Sequence, residues 1–300
     1  ELERRRPDRR LINLETSITT SDDHWPNKGI HYRMHPKNVA CLSAAAIDGC
    51  ALANNHVLDW GYNGLYETLA TLENAGIDLA GAGRNERQAT APAVWEAPGG
   101  RVVVFSCGAR DSGIPLEWAA TGQHAGVFLL DDFSEAAAGY LASLIEPYRQ
   151  PATVVVCSIH WGGNWGYAIP PRHRDFAHRL IDEAGVDLIH GHSSHHFKGI
   201  EVYRNKLILY SCGDFITDYE GISGKEQYRG ELALAYFPAL NPADGQLIRL
   251  EMTPLLLRRF RLRYPAEADI NWAKDVLNRE GRLLGTRVER SGEGALRLAW

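Results

Sequence analysis

The chain has 300 residues, 45% hydrophobic and 23% charged, with a formal net charge of −5. That balance excludes disorder, collagen-like repeats and coiled coil, and it gives no general electrostatic pull toward nucleic acid or anionic membrane. Its length suffices to bury a full-sized core.

The start, ELERRRPDRR, is charged and lacks an apolar signal core; it reads as a helix end, as if the chain began inside a longer domain. Residues 10–15 (RLINLE) read as a strand with Asn13 and Glu15 at its polar end. A helix is expected over 38–46, a short strand over 49–53, a helix over 64–75 stopped by Gly76, and a strand over 77–80. Next come a strand over 101–107, a helix over 134–147 and a Val-rich buried strand over 152–159. A helix over 172–184, stopped by Gly185, leads to a strand over 186–189. Residues 201–203 and 207–210 form a hairpin around Arg204–Asn205–Lys206, and strands follow over 232–237 and 247–255. The order is α/β with antiparallel pieces late. It predicts one domain over 1–260, with 261–300 packed on it as an appendage. No apolar run approaches the roughly 18–20 residues of a membrane span.

The five cysteines are odd in number and scattered, without CxxC spacing, so they read as reduced and structural and the compartment as cytoplasmic. The 12 histidines are less evenly spread: seven fall between His160 and His196, which invites a metal or acid–base reading.

The polar motifs recur just after the carboxyl ends of predicted strands, where α/β sheets bind ligands. In NNHVLDWG, His56 stands three residues before Asp59, and a carboxylate beside an imidazole fixes its tautomer and raises its basicity. Asp59 could equally cap the following helix, and the two roles are compatible. Asn13 and Glu15 supply hard oxygen atoms. With Asn55 and the imidazoles they make a mixed O/N set that suits a divalent metal without selecting one. The cluster HGHSSHH (190–196) can bring two or three imidazoles round one point. His160 lies in SIHWGGNWGY, whose Trp161 and Trp165 suggest an aromatic rim or simply rim packing, and His173 and His178 read as surface or packing residues. No Walker A loop, GxSxG elbow or HExxH occurs.

NLETSIT, LANNHVLDWG, GIDLAGAG, SIHWGGNWGY, GHSSHHFKGIEVY and LILYSCGDF stand in an order that resembles the CapA family, within the calcineurin-like metallophosphoesterase superfamily. The resemblance runs from Arg10 to about Asp218. It implies a four-layer α/β/β/α sandwich with a metal site at strand ends. NLE resembles the block supplying a bridging carboxylate, here Glu15. NNH resembles the GNH block, which implies Asn55 as a metal ligand and His56 as an acid–base group. His160 resembles the isolated ligand histidine, and GHSSH resembles the GHxH block, implicating His192 and His195.

Three departures stand out. The family's first block, a GDVMxGR-like strand, is absent. Ser193 and Ser194 replace the His and Pro of GHHPH. YSCGDF replaces YSLGNF and is followed by ITDYEGI, which adds Asp214 and Asp218. Oxygen-rich composition leans toward Ca²⁺, Mg²⁺ or Mn²⁺ and leaves Zn²⁺ or Fe open.

The variant motifs look like the CapA-like branch associated with lasso-peptide clusters. That resemblance implies a metal-dependent peptide epimerase inverting Cα of a C-terminal Trp by two-sided acid/base catalysis. His56 with Asp59 would serve one face, and His192, or another histidine of its loop, with Asp214 the other. Trp161, Trp165 and Tyr167 would hold the indole, and Arg33 or Lys28 the carboxylate. Its partners would be a precursor peptide and a precursor-recognition protein. The competing readings are a metal-dependent phosphoesterase or amide hydrolase, and an accessory protein of capsule poly-γ-glutamate synthesis.

Overall fold

A computed structural model of the chain describes residues 1–217 and 224–300. Its first sheet holds three parallel strands, β1 (Leu11–Asn13), β2 (Gly49–Ala51) and β3 (Asp78–Ala80), in that spatial order. Helix α1 (Gly61–Asn74) crosses from β2 to β3 and buries Leu65, Leu69 and Leu72, one stripe at helical spacing, against Leu14, Ile18, Cys50 and Leu52.

The second sheet is larger. It comprises β4 (Ala93–Ala97), β5 (Gly100–Ala109), β6 (Leu129–Leu130), β7 (Thr153–His160), β8 (Leu188–His192), β9 (Ile200–Tyr203) and β10 (Lys206–Leu209). The spatial order is β6-β5-β7-β8-β10-β9, with β4 also on β5; β4 and β9 run antiparallel to their partners and the others run parallel.

Helices α2 (Glu135–Ile145) and α3 (Pro171–Asp182) cover one face of this sheet. Ser134 caps α2 by accepting from the Ala137 N–H, and Pro171 starts α3 where a missing N–H costs nothing. Val155, Cys157 and Ile159 of β7 pack with Leu141, Ile145, Phe176 and Leu180 on that face. Val154 and Val156 point the other way, into a second core with Leu188, Leu207 and Leu209. A strand covered on both faces reads as a continuous apolar run, which is why 152–159 is so rich in Val.

That second core is closed by an antiparallel sheet of β11 (Leu232–Leu240), β12 (Leu247–Leu257), β13 (Arg287–Arg290) and β14 (Leu296–Ala299), ordered β11-β12-β14-β13. Helix α4 (Glu267–Gly281) adds Ile270, Val276 and Leu277 to it. The fold is therefore mixed α/β with several sheets. The segment 261–300 supplies three strands to the antiparallel sheet, β13, β14 and the short Leu262–Arg263 paired with β12, and a helix to the shared core.

One boundary matters for the site. The strand expected over 186–189 instead runs Leu188–His192, so His190 and His192 lie within the strand and not on a loop beyond it. Among the described residues no helix is long and apolar enough to cross a membrane.

Phe176 is 1% exposed and Leu283 is 87% exposed. Phe176→Ala should cost about 3–5 kcal/mol in denaturant unfolding, while Leu283→Ser should stay within about 0.5 kcal/mol of the parent.

Candidate functional site

Asn54 joins the ends of β1 and β2. It is fully buried, and its amide donates to Asn13 Oδ1 (3.0 Å) and to the Leu14 carbonyl (2.9 Å) while its Oδ1 accepts from the His56 N–H (3.1 Å). Asn13 in turn donates to Glu15 Oε2 (2.7 Å). One amide thus sets the positions of both Glu15 and His56.

His56 Nδ1 lies 2.6 Å from Asp59 Oδ2. Asp59 is fully buried, accepts from the Tyr32 N–H (2.6 Å) and pairs with the Lys28 ammonium (2.6 Å). His56 Nδ1 lies between this carboxylate and the Lys28 ammonium, 3.1 Å away, so Nδ1 is engaged from both sides and Nε2 is the nitrogen left to act. Tyr32 stacks on the imidazole at 4.0 Å. Burial lowers the His56 pKa, against the pull of Asp59, and favours the neutral base.

On the second sheet, Ser158 pairs in register with His190 and His160 with His192. Residues two apart on a strand share a face, so these four side chains form a square. His160 Nδ1 lies 2.8 Å from His192 Nδ1; Ser158 Oγ lies 3.0 Å from His192 Nε2 and 2.9 Å from His190 Nδ1. Burial pushes His160 down to about 3, with help from His56 and His195, and pushes His190 down to about 4. The free His160 Nε2 is buried without a hydrogen-bond partner, 3.9 Å from Glu15 Oε1. Burial, then the nearby Asp214, raises Glu15 to about 7.

His195 Nδ1 meets both oxygens of Asp214, at 3.1 and 3.2 Å. Although burial opposes it, this pairing raises the His195 pKa and favours the imidazolium. The structure thus sets His195 against Asp214, whereas both ring nitrogens of His192 face His160 and Ser158. Asp218 lies outside the described residues.

The loop after His160 is pinned from behind. Asp111 accepts from the Gly162 N–H (3.0 Å), Arg172 (2.8 Å) and His173 Nε2 (2.7 Å). His173 stacks flat on Trp161 at 5.0 Å, and the Trp161 indole N–H donates to the Tyr210 carbonyl. Ser193 adopts φ of 112°, sparsely populated for a side-chain-bearing residue, and its hydroxyl donates to the Gly162 carbonyl (2.9 Å).

One of the expected substrate contacts, Trp161, is corrected here. Trp161 is 3% exposed and packed between His173 and Tyr210, so it offers no face to a ligand. Arg33 is engaged by the Ser21 carbonyl and Asp22 and lies over the Trp60 ring. Trp165 and Tyr167 remain part-exposed. The roles of Tyr32, Asp111 and His173 carry no local sequence signal: Asp111 meets partners 51 to 62 residues away.

The donors toward a metal are mixed. His160 Nε2 and Asn55 Oδ1 are buried without partners, and Glu15 adds a carboxylate beside the former. This N/O set fits a divalent cation in kind. Among the described residues, however, no group of three or more His, Cys, Asp or Glu side chains is placed to hold an ion.

The architecture defines a mixed α/β protein whose strand ends carry two imidazole–carboxylate pairs around a part-exposed glutamate, Glu15. Residues 1–219 match the family described as bacterial capsule synthesis protein PGA_cap, and the chain belongs to that family. A probable polyglutamine synthesis accessory protein of Mycobacterium tuberculosis is 46% identical over 280 residues, covering 93% of this chain and 73% of that protein. The capsule biosynthesis protein CapA of Bacillus anthracis is 28% identical over 192 residues, 64% of this chain and 45% of its own length. The PGA biosynthesis protein CapA of Bacillus subtilis is 28% identical over 245 residues, 81% of this chain and 60% of its own. The CapA resemblance read from the motifs holds at the level of the family.

Asp111 gives a pH test. Burial alone would raise its carboxyl, but the bonds from His173, Gly162 and Arg172 hold it well below the ordinary carboxylate range. A depressed carboxylate contributes stability above its unfolded value, near 4, and loses it as pH falls. The thermal midpoint should therefore drop on acidification below about pH 4, and Asp111→Asn should show a shallower drop from a lower starting value at pH 7.

Proposed function

We propose that this chain is an accessory protein of bacterial poly-amino-acid capsule synthesis, working beside a synthetase on an amide-linked, glutamate-derived chain through an acid–base site. The observation that carries this is a pair of histidines biased to opposite protonation states. His56 is biased to the neutral base by burial, and His195 to the acid by Asp214. Two titratable groups whose environments separate their pKa values are the usual assignment of base and acid. The relatives' names carry the words polyglutamine and PGA, and the CapA resemblance of the motifs implies poly-γ-glutamate as the polymer.

In this reading His56 Nε2 takes a proton from the attacking or reacting group, and His195 delivers one to the leaving or opposite side. Asp59, Lys28 and Tyr32 hold the first imidazole, and Asp214 holds the second. A divalent ion carried by Glu15, Asn55 and His160 would add Lewis-acid polarisation of a carbonyl. The four-layer sandwich implied by the motifs belongs to the same reading.

In a strain lacking the protein, wild-type chain should restore cell-bound polymer while His56→Ala should not. With purified protein, His56→Ala should lower turnover of a γ-linked oligoglutamate, followed by mass spectrometry, by about 10²–10⁴. Full polymer from the His56→Ala strain would sink the catalytic part of this reading.

Epimerisation of a peptide's C-terminal residue is the second reading, favoured by the separate origins of the two pairs, one on each sheet. A base on one face and an acid on the other invert Cα. In D₂O, a Trp-terminated peptide should gain one deuterium at Cα together with inversion; inversion without label rules this out.

A further inference from the structure

One wall of the site continues outward from His195 as a row of aromatic faces. The Trp165 ring centroid lies 5.2 Å from that of His195 and 5.4 Å from that of Tyr228. Tyr228 lies 5.3 Å from Tyr167, and the Arg279 guanidinium carbon stands 4.6 Å over the Tyr167 ring. Three separate segments build this row: the loop after β7, a 3₁₀ turn over Glu226–Tyr228, and α4.

His196 backs the row. Its Nδ1–H donates to the Phe197 carbonyl (3.1 Å) and its Nε2 accepts from the Gly166 N–H (3.1 Å), so both nitrogens are used and the ring is fixed. Tyr228 stacks on it at 4.5 Å, and Tyr167 meets it edge-on at 4.6 Å. Trp165, Tyr167 and Tyr228 are each part-exposed, and the Arg279 side chain is 49% exposed.

We infer that Trp165, Tyr228, Tyr167 and Arg279 form an extended subsite that holds the length of an acidic, amide-linked oligomer leading away from His195. This rests on the function proposed above. Planar amides pack well on ring faces. His195, paired with Asp214, closes the row on the inside, and the Arg279 guanidinium ends it on the outside. Arg279 shares its charge with Glu280 Oε1 at 2.6 Å, which holds the guanidinium in place while its remaining N–H groups can meet a carboxylate. A ligand with carboxylates separated by amide planes matches this alternation. A bare polycarboxylate matches only its ends.

Calorimetric titration of the whole chain with a synthetic γ-linked oligoglutamate, and with polyacrylate of equal charge, tests the subsite. Wild-type protein should bind the oligoglutamate at least about tenfold more tightly than polyacrylate. Tyr228→Ala and Arg279→Gln should each weaken oligoglutamate binding about tenfold with unchanged circular dichroism, and Tyr228→Phe should restore it. Arg279→Gln alters an exposed side chain, so it keeps the test informative should Tyr228→Ala unfold. Wild-type binding that both folded variants retain in full overturns the subsite and leaves the accessory reading standing. Equal affinity for polyacrylate overturns the role of the ring faces. No binding of oligoglutamate by wild type overturns the proposed substrate class, and the subsite with it.

Discussion

A parallel sheet sends the carboxyl ends of its strands to one edge, and everything chemical in this protein follows from that constraint. β5, β7, β8 and β10 share one direction, as do β1, β2 and β3. Their ends deliver Glu15, His56, His160, His195 and Asp214 to a common region from positions spread over two hundred residues. Backbone hydrogen bonding within each ladder fixes the separations, so the side chains need only short reaches. Had β7 slipped by one residue against β8, His160 would have turned into the helix-covered apolar core.

Such an edge is expensive to bury, because each polar group taken from water must find a partner. The protein answers with saturated residues just behind the reactive ones. Asn54 uses both ends of its amide, Asp59 binds a backbone N–H, an imidazole and an ammonium, and Asp111 gathers three donors. These groups fix ring and loop positions. Two of the buried atoms left without hydrogen-bond partners, His160 Nε2 and Asn55 Oδ1, belong to residues of the candidate metal set.

Family membership and geometry constrain different things. The family and its named relatives point to capsule and poly-amino-acid synthesis. The geometry sets two imidazole–carboxylate pairs, His56 with Asp59 and His195 with Asp214, at the ends of different sheets. The lasso-peptide reading from the motifs required the same two-sided chemistry but a different substrate, and the relatives favour the polymer.

Much was legible in the sequence alone. The α/β alternation, the Val-rich β7, the stop at Gly185 and the His56–Asp59 pairing are local facts, set by side-chain periodicity and by residues three apart. The strand-end clustering was visible too, since each motif follows its own strand. What the tertiary structure decided is which motif faces which. Strand register placed His192 against His160 and left His195 for Asp214, a choice no spacing within HGHSSHH encodes. Packing turned Trp161 into core and left Trp165 at the surface, although both belong to one aromatic motif. Strand pairing also drew 287–299 into a sheet with β12, because a hydrophobic face finds its partner by contact in space and not by nearness along the chain.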